Sequence, residues 1–180
     1  MFTYKTPCHA LMMIAVIGLL LVSPAAGQSN LTMPDWMSVD HAAKTISIEI
    51  IAGKSNANNN WNFNGFANGE ASVVVPEGYA VSLTFKNNDP NMVHSIGVGE
   101  RLDAYPAMME NATPVFTGAM STNPTDMMNA TKSGASETLS FSADKAGDYA
   151  LICYIPAHAT TGMWIGFSVS AEGKAGLSKG

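Results

Sequence analysis

The chain has 180 residues, enough for one folded domain with a real core plus a targeting segment, but short for two domains. Only 13% of the residues are charged, against about 25% in an average soluble domain, and acidic groups outnumber basic ones 14 to 9 with no basic run. That balance excludes an electrostatic footprint for DNA or RNA, so no nucleic acid is expected among its partners.

At the N-terminus, Lys5 precedes an unbroken apolar run from Ala10 to Val22, and small residues follow at Ala25, Ala26 and Gly27. The pattern predicts a signal peptide or membrane anchor helix in residues 1–27, with 10–26 as the tether if it is retained. It places the protein outside the cytoplasm, secreted, periplasm-like or at the cell surface. Cleavage would remove Cys8 and leave Cys153 as the sole cysteine, which excludes a disulfide framework and makes a metal the first candidate to occupy the thiol. Residues 28–40 are polar, broken by Pro34, and read as a linker to a domain spanning 41–180.

Short runs rich in Val, Ile, Thr and aromatic residues then predict strands at 45–51, 61–66, 71–75, 80–87 and 93–98. Turn signals separate them: the Asn-rich stretch from Asn56 to Asn60, Asn64-Gly65, Asn68-Gly69, Pro76-Glu77-Gly78 and Asn88-Asp89-Pro90. In 80–87, Val81, Leu83 and Phe85 alternate with Ser82, Thr84 and Lys86, the signature of a half-buried strand. From 100 to 135 the pattern dissolves into a long insertion with Pro106, Pro114, Pro124 and two methionine pairs. Strands resume at 136–142, 148–154 and 163–170. Many short strands without helical crossovers predict an all-β fold, an antiparallel Greek-key β-sandwich. Sequons at Asn30, Asn111 and Asn129 mark surface positions open to glycosylation in an exported chain.

The chemistry is concentrated in Cys153-Tyr-Ile-Pro-Ala-His158-Ala-Thr-Thr-Gly-Met163, a thiol, an imidazole and a thioether at intervals of five between two predicted strands. A loop of this length can fold all three toward one point, whereas a strand or helix would scatter them. With one more imidazole they form the two-His, one-Cys, distant-Met set of blue-copper sites. His41 sits at the linker edge and His94 beside a predicted strand, so His94 is the better choice. Trp61, Phe63 and Phe66 read as core aromatics, and the His158 imidazole edge is expected to reach the surface between Ala157 and Ala159.

These residues carry a resemblance. Cys153-x4-His158-x4-Met163, the segment Trp61-Asn-Phe-Asn-Gly65 and the run from Asn87 to His94 are similar to the cupredoxins, in particular the sulfocyanin and rusticyanin group. The resemblance covers about residue 44 to the C-terminus. It implies a cupredoxin-like sandwich holding one type 1 copper through His94, Cys153 and His158 in the plane and Met163 on the axis. Ser95 stands where many cupredoxins have asparagine after the first histidine, which makes it an outer-sphere candidate. The function implied is one-electron carriage, without enzymatic activity, between redox proteins such as a membrane oxidase or cytochrome complex, with the carrier a monomer. The alternative in a different class is an exported copper chaperone or storage protein using the same soft ligands.

Overall fold

The computed structural model describes residues 1–3, 31–109 and 111–180. The expected signal or anchor helix, its apolar run and Asn30 lie outside them. Among the described residues no helix is long and apolar enough to cross a membrane.

Among the described residues nine strands form the fold: β1 (Met37–Asp40), β2 (Thr45–Ala52), β3 (Ala71–Pro76), β4 (Tyr79–Asn87), β5 (Gly97–Glu100), β6 (Ser136–Ala143), β7 (Gly147–Ile152), β8 (Trp164–Ser170) and β9 (Gly176–Lys179). They build two sheets, ordered β1-β2-β4-β6 and β5-β7-β8-β3-β9. Period-two patterning sets which side of each strand meets the other sheet. Ile46, Ile48 and Ile50 of β2, Val81, Leu83 and Phe85 of β4, and Leu139 and Phe141 of β6 are buried in one cluster with Val73, Val75, Leu151, Ile165 and Phe167 of the facing sheet. The register places Val81 opposite Phe141 and Leu83 opposite Leu139, so the buried faces of neighbouring strands coincide.

The sandwich is all-β and Greek-key, but its sheets are mixed rather than antiparallel. β2 and β4 run parallel, as do β3 and β8. The intervening β3 belongs to the opposite sheet, so β2 and β4 become neighbours without a hairpin between them. Three expected boundaries also change. Residues 37–40, inside the stretch read as linker, form β1 against β2, and Thr32 bridges Leu177 of β9. Residues 61–66 form a tight turn in which Phe63 bridges both Ala52 and Phe66. Residues 93–96 precede β5 in irregular structure, with His94 in a single bridge to Thr131.

The insertion is packed onto the fold. Tyr105 is buried with Ala150, Ile152, Tyr154 and Ala159 in a second cluster on the outer face of β7, with Met109 and Ala112 against it, while Phe116, Ala119 and Ala130 join the main core. β7 is thus covered on both faces, which is why 149–152 reads as a continuous apolar run rather than an alternation.

Candidate metal centre

Four segments meet at one end of the sandwich, and each is held by bonds its own sequence supplies. At the end of β4, the buried Asn87 ties the first segment down. Its Nδ2 donates to the carbonyls of Met92 and Thr131, both at 2.8 Å, and its Oδ1 accepts the Asp89 amide at 2.9 Å. The loop approaches Gly53 so closely that a Cβ there would lie 2.8 Å from the Asp89 nitrogen, and Gly53 also takes a φ of +66°, so glycine is required twice over. Asp89 is 2% exposed. Its Oδ1 accepts from the Asn91 amide and its Oδ2 from His94 Nε2, both at 2.9 Å.

Burial raises the Asp89 pKa, but the hydrogen bonds from Asn91, His94 and Met92 and the attraction of His94 outweigh it and leave the carboxyl below its usual value. For His94, burial depresses the pKa and the carboxylate only partly offsets this. At neutral pH the ring is uncharged, with the proton on Nε2 facing Asp89 and the Nδ1 lone pair facing inward. A carboxylate fixing the tautomer of a ligating histidine in this way is a recurrent feature of metal sites.

The second and third segments are the loop from Cys153 to Met163 and residue Ser95. The Cys153 amide donates to the Met163 carbonyl at 3.1 Å and the Met163 amide to the His158 carbonyl at 2.9 Å, so the three side chains leave from one corner of the fold. The insertion braces this loop from outside: the Ala157 amide donates to the Ala107 carbonyl at 2.7 Å, and the Thr160 hydroxyl to the Tyr105 carbonyl at 2.9 Å. Cys153 Sγ lies 3.9 Å from His94 Nδ1 and 3.4 Å from His158 Nδ1, and the two Nδ1 atoms are 3.1 Å apart. His94, Cys153 and Met163 are fully buried, and His158 is 1% exposed. The Ser95 amide donates to Sγ at 3.5 Å, and the Tyr154 amide donates to Ser95 Oγ at 2.9 Å, which leaves the hydroxyl hydrogen for the sulfur at 3.8 Å. Ser95 therefore contacts the sulfur through both its amide and its hydroxyl.

Burial pushes the Cys153 thiol up to about 11 against the pull of Ser95 and Ile155, and burial followed by repulsion from His94 holds His158 down at about 4. Two imidazole lone pairs facing each other beside a thiol repel unless a cation or shared proton lies between them. This buried set of two neutral Nδ1 donors, a thiol and a thioether fits one type 1 copper, a metal that prefers soft sulfur together with imidazole. His41 is elsewhere, exposed and bonded to the Tyr79 hydroxyl at 2.9 Å.

The fourth segment was not legible as part of the site. Trp61 stacks on the His158 ring with centroids 4.0 Å apart and planes 23° from parallel. Trp61 is itself partly exposed, so the imidazole lies beneath an indole instead of opening to solvent. Ala159, expected beside an exposed edge, is 2% exposed beneath the insertion. The Asn-rich stretch explains how the indole gets there. Asn58, Asn59 and Asn60 have φ of 46, 55 and 67°, a left-handed region that asparagine enters more readily than other non-glycine residues. The resulting turn is tied by Asn58 Nδ2 donating to the Trp61 carbonyl at 2.8 Å and by Asn62 Nδ2 donating to the carbonyls of Ser55 and Ala57.

A family model described as the sulfocyanin (SoxE) domain matches residues 34–176. The sulfocyanin of Sulfolobus acidocaldarius is 28% identical over 135 residues, covering 67% of this chain and 61% of its own, so the chain spans less than two thirds of that relative. Among solved structures, rusticyanin from Thiobacillus ferrooxidans is similar with a TM-score of 0.48 and 20% identity, covering 76% of this chain and 87% of that one. Auracyanin from Roseiflexus castenholzii has a TM-score of 0.47 and 26% identity over 69% of this chain and 96% of that one.

Proposed function

The chain belongs to the sulfocyanin family, and from that premise we propose that it is a blue-copper one-electron carrier working outside the cytoplasm. His94 Nδ1, Cys153 Sγ, His158 Nδ1 and the Met163 thioether would hold the copper. The observation that carries this reading is the convergence of the three donor atoms within 4.8 Å of one another in a buried, prebuilt pocket. When bound, copper supplies a one-electron couple that a thiolate and two imidazoles support in both oxidation states.

The protein's own part is rigidity and exclusion. Asp89 orients His94, Trp61 orients His158, Ser95 steadies the sulfur, and the bonds to Ala107 and Tyr105 keep the ligand loop from rearranging. A closed, braced site of this kind suits electron transfer better than metal handover, which needs ligands that can be reached and exchanged. We take the partners to be redox proteins such as a membrane oxidase or cytochrome complex, and residues 1–27 to be the export signal or anchor. The test is the visible spectrum of the purified protein with one equivalent of Cu(II). An intense thiolate-to-copper charge-transfer band, bleached by ascorbate and lost in Cys153→Ser, is expected; a colourless wild-type protein refutes the proposal.

A further inference from the structure

The two imidazoles of the centre are held differently. His94 is fixed through Nε2 by a buried carboxylate, whereas His158 has no hydrogen bond at Nε2 among the described residues and is fixed by the face of Trp61. The indole lies in van der Waals contact with the imidazole, so their π systems overlap, and the Trp61 side chain is itself partly exposed. The two stretches that supply the indole turn and the ligand loop are themselves uncharged: residues 55–69 contain no Asp, Glu, Lys or Arg, and neither do residues 149–171. A second route out of the centre would run from Cys153 to Tyr154, which is 4% exposed and packs with Tyr105 and Met109 at the floor of a cleft, where it leaves a partner little to touch.

We propose that Trp61 is the electron port of this protein, the point where a redox partner with an uncharged contact surface docks and through which the electron crosses from His158. The proposal rests on the copper reading given above. One electron leaves the reduced carrier and arrives on the oxidised partner, and no proton or group moves with it. The left-handed Asn58–Asn60 turn is the positioning device that presents the indole to the partner already stacked on the ligand.

Self-exchange between an oxidised and a reduced copy, followed by NMR line broadening, tests this with a macromolecular partner of known identity. Trp61→Ala leaves His158 at the bottom of a pit that a folded protein cannot fill. Losing a central aromatic contact should slow self-exchange by about tenfold or more. Trp61→Phe retains a stacked ring and should stay within about threefold of wild type, because a smaller aromatic anchor still fills the contact. Oxidation by hexacyanoferrate(III), which makes no aromatic contact with the protein surface, should slow far less than self-exchange in Trp61→Ala. Asn59→Asp puts a charge on the same exposed turn in a residue type that tolerates its backbone, and should slow self-exchange at low salt with recovery at high salt. Ala171→Asp, beyond the far end of β8, should change nothing.

Self-exchange in Trp61→Ala as fast as wild type overturns the proposal, and if that variant does not fold, an unaffected Asn59→Asp overturns it equally. An intact charge-transfer band in these variants shows that such a failure belongs to Trp61 alone, whereas its absence from wild type would remove the copper reading and this inference together.

Discussion

Asp89→Asn alters a few atoms and should loosen the metal centre without emptying the core. The carboxylate accepts at 2.9 Å from the Asn91 amide through one oxygen and from His94 Nε2 through the other, with Met92 adding to the pull. A carboxamide has one acceptor oxygen, so one of these donors must face an NH2 group. If the oxygen stays with Asn91, His94 regains a partner only by moving its proton to Nδ1, which points an N–H at the other ligands. If the oxygen turns to His94, the Asn91 amide is left unpaired in a residue environment only 2% open to water. Losing one charge-assisted bond costs about 1.5–3 kcal/mol. Outer partners of ligating histidines are independently worth about 10–100-fold in metal affinity, or about 1.4–2.8 kcal/mol, and the two estimates overlap. The loss should fall harder on Cu(II) than on Cu(I), because the missing negative charge favours the higher charge state. Each tenfold difference between the two raises the reduction potential by about 59 mV. Competition against chelators of known affinity for each ion, together with voltammetry, measures both quantities. Affinities within twofold of wild type and an unmoved potential, alongside a lowered unfolding free energy, would show that Asp89 only braces the loop.

Metal-free protein should lose stability in mild acid. The His158 pKa falls from 6.5 to about 4 on folding, so the unfolded chain takes up the proton first. The contribution is whole above pH 6.5 and is lost as pH falls to about 4, on the order of 3 kcal/mol; denaturant unfolding at pH 7 and pH 4 should show it in the metal-free protein and far less with copper bound, and equal apo stabilities would contradict it. With the Cys153 thiol near 11, binding must displace one proton, so affinity should rise about tenfold per pH unit from 7 to 9; a flat titration would mean the thiolate is not a ligand. Met163→Leu should keep the visible band and raise the potential, since a weak donor that favours Cu(II) is removed; a lower or unchanged potential would take Met163 out of the site.

Much of the centre was readable because one loop carries three unlike donors at even spacing, and because only two imidazoles competed for the fourth place. The long strands were readable for a similar reason, since Val81, Leu83 and Phe85 alternate with polar neighbours and so reveal their buried face. β1 and β9, at four residues each, are too short to show a period. The parallel pairing of β2 with β4 depends on where β3 goes, which no local pattern records. Asp89 sits in an Asn-Asn-Asp-Pro sequence that looks like any solvated turn, and only the approach of Gly53 and Asn87 buries it. Trp61 and Phe66 were taken for strand residues because aromatic content suggests strands, while the left-handed asparagines before Trp61 redirect the chain.

The turn that carries the indole also bears on how the molecule ages. An Asn-Gly step deteriorates when the glycine nitrogen attacks the asparagine side-chain carbon, closes a succinimide and expels ammonia, which makes asparagine a thermolabile residue. Both such steps here are clamped. Gly65 spends its N–H on Asn62 Oδ1 at 3.0 Å while the Asn64 carboxamide is held at both ends by Ile51 and Glu49, and Gly69 donates to the Trp164 carbonyl at 3.2 Å. Peptide mapping after long warm incubation should find these two sites intact in folded protein and converted in unfolded chain. Folding would then carry these two asparagine-glycine steps through the protein's working life without a chemical clock running in them.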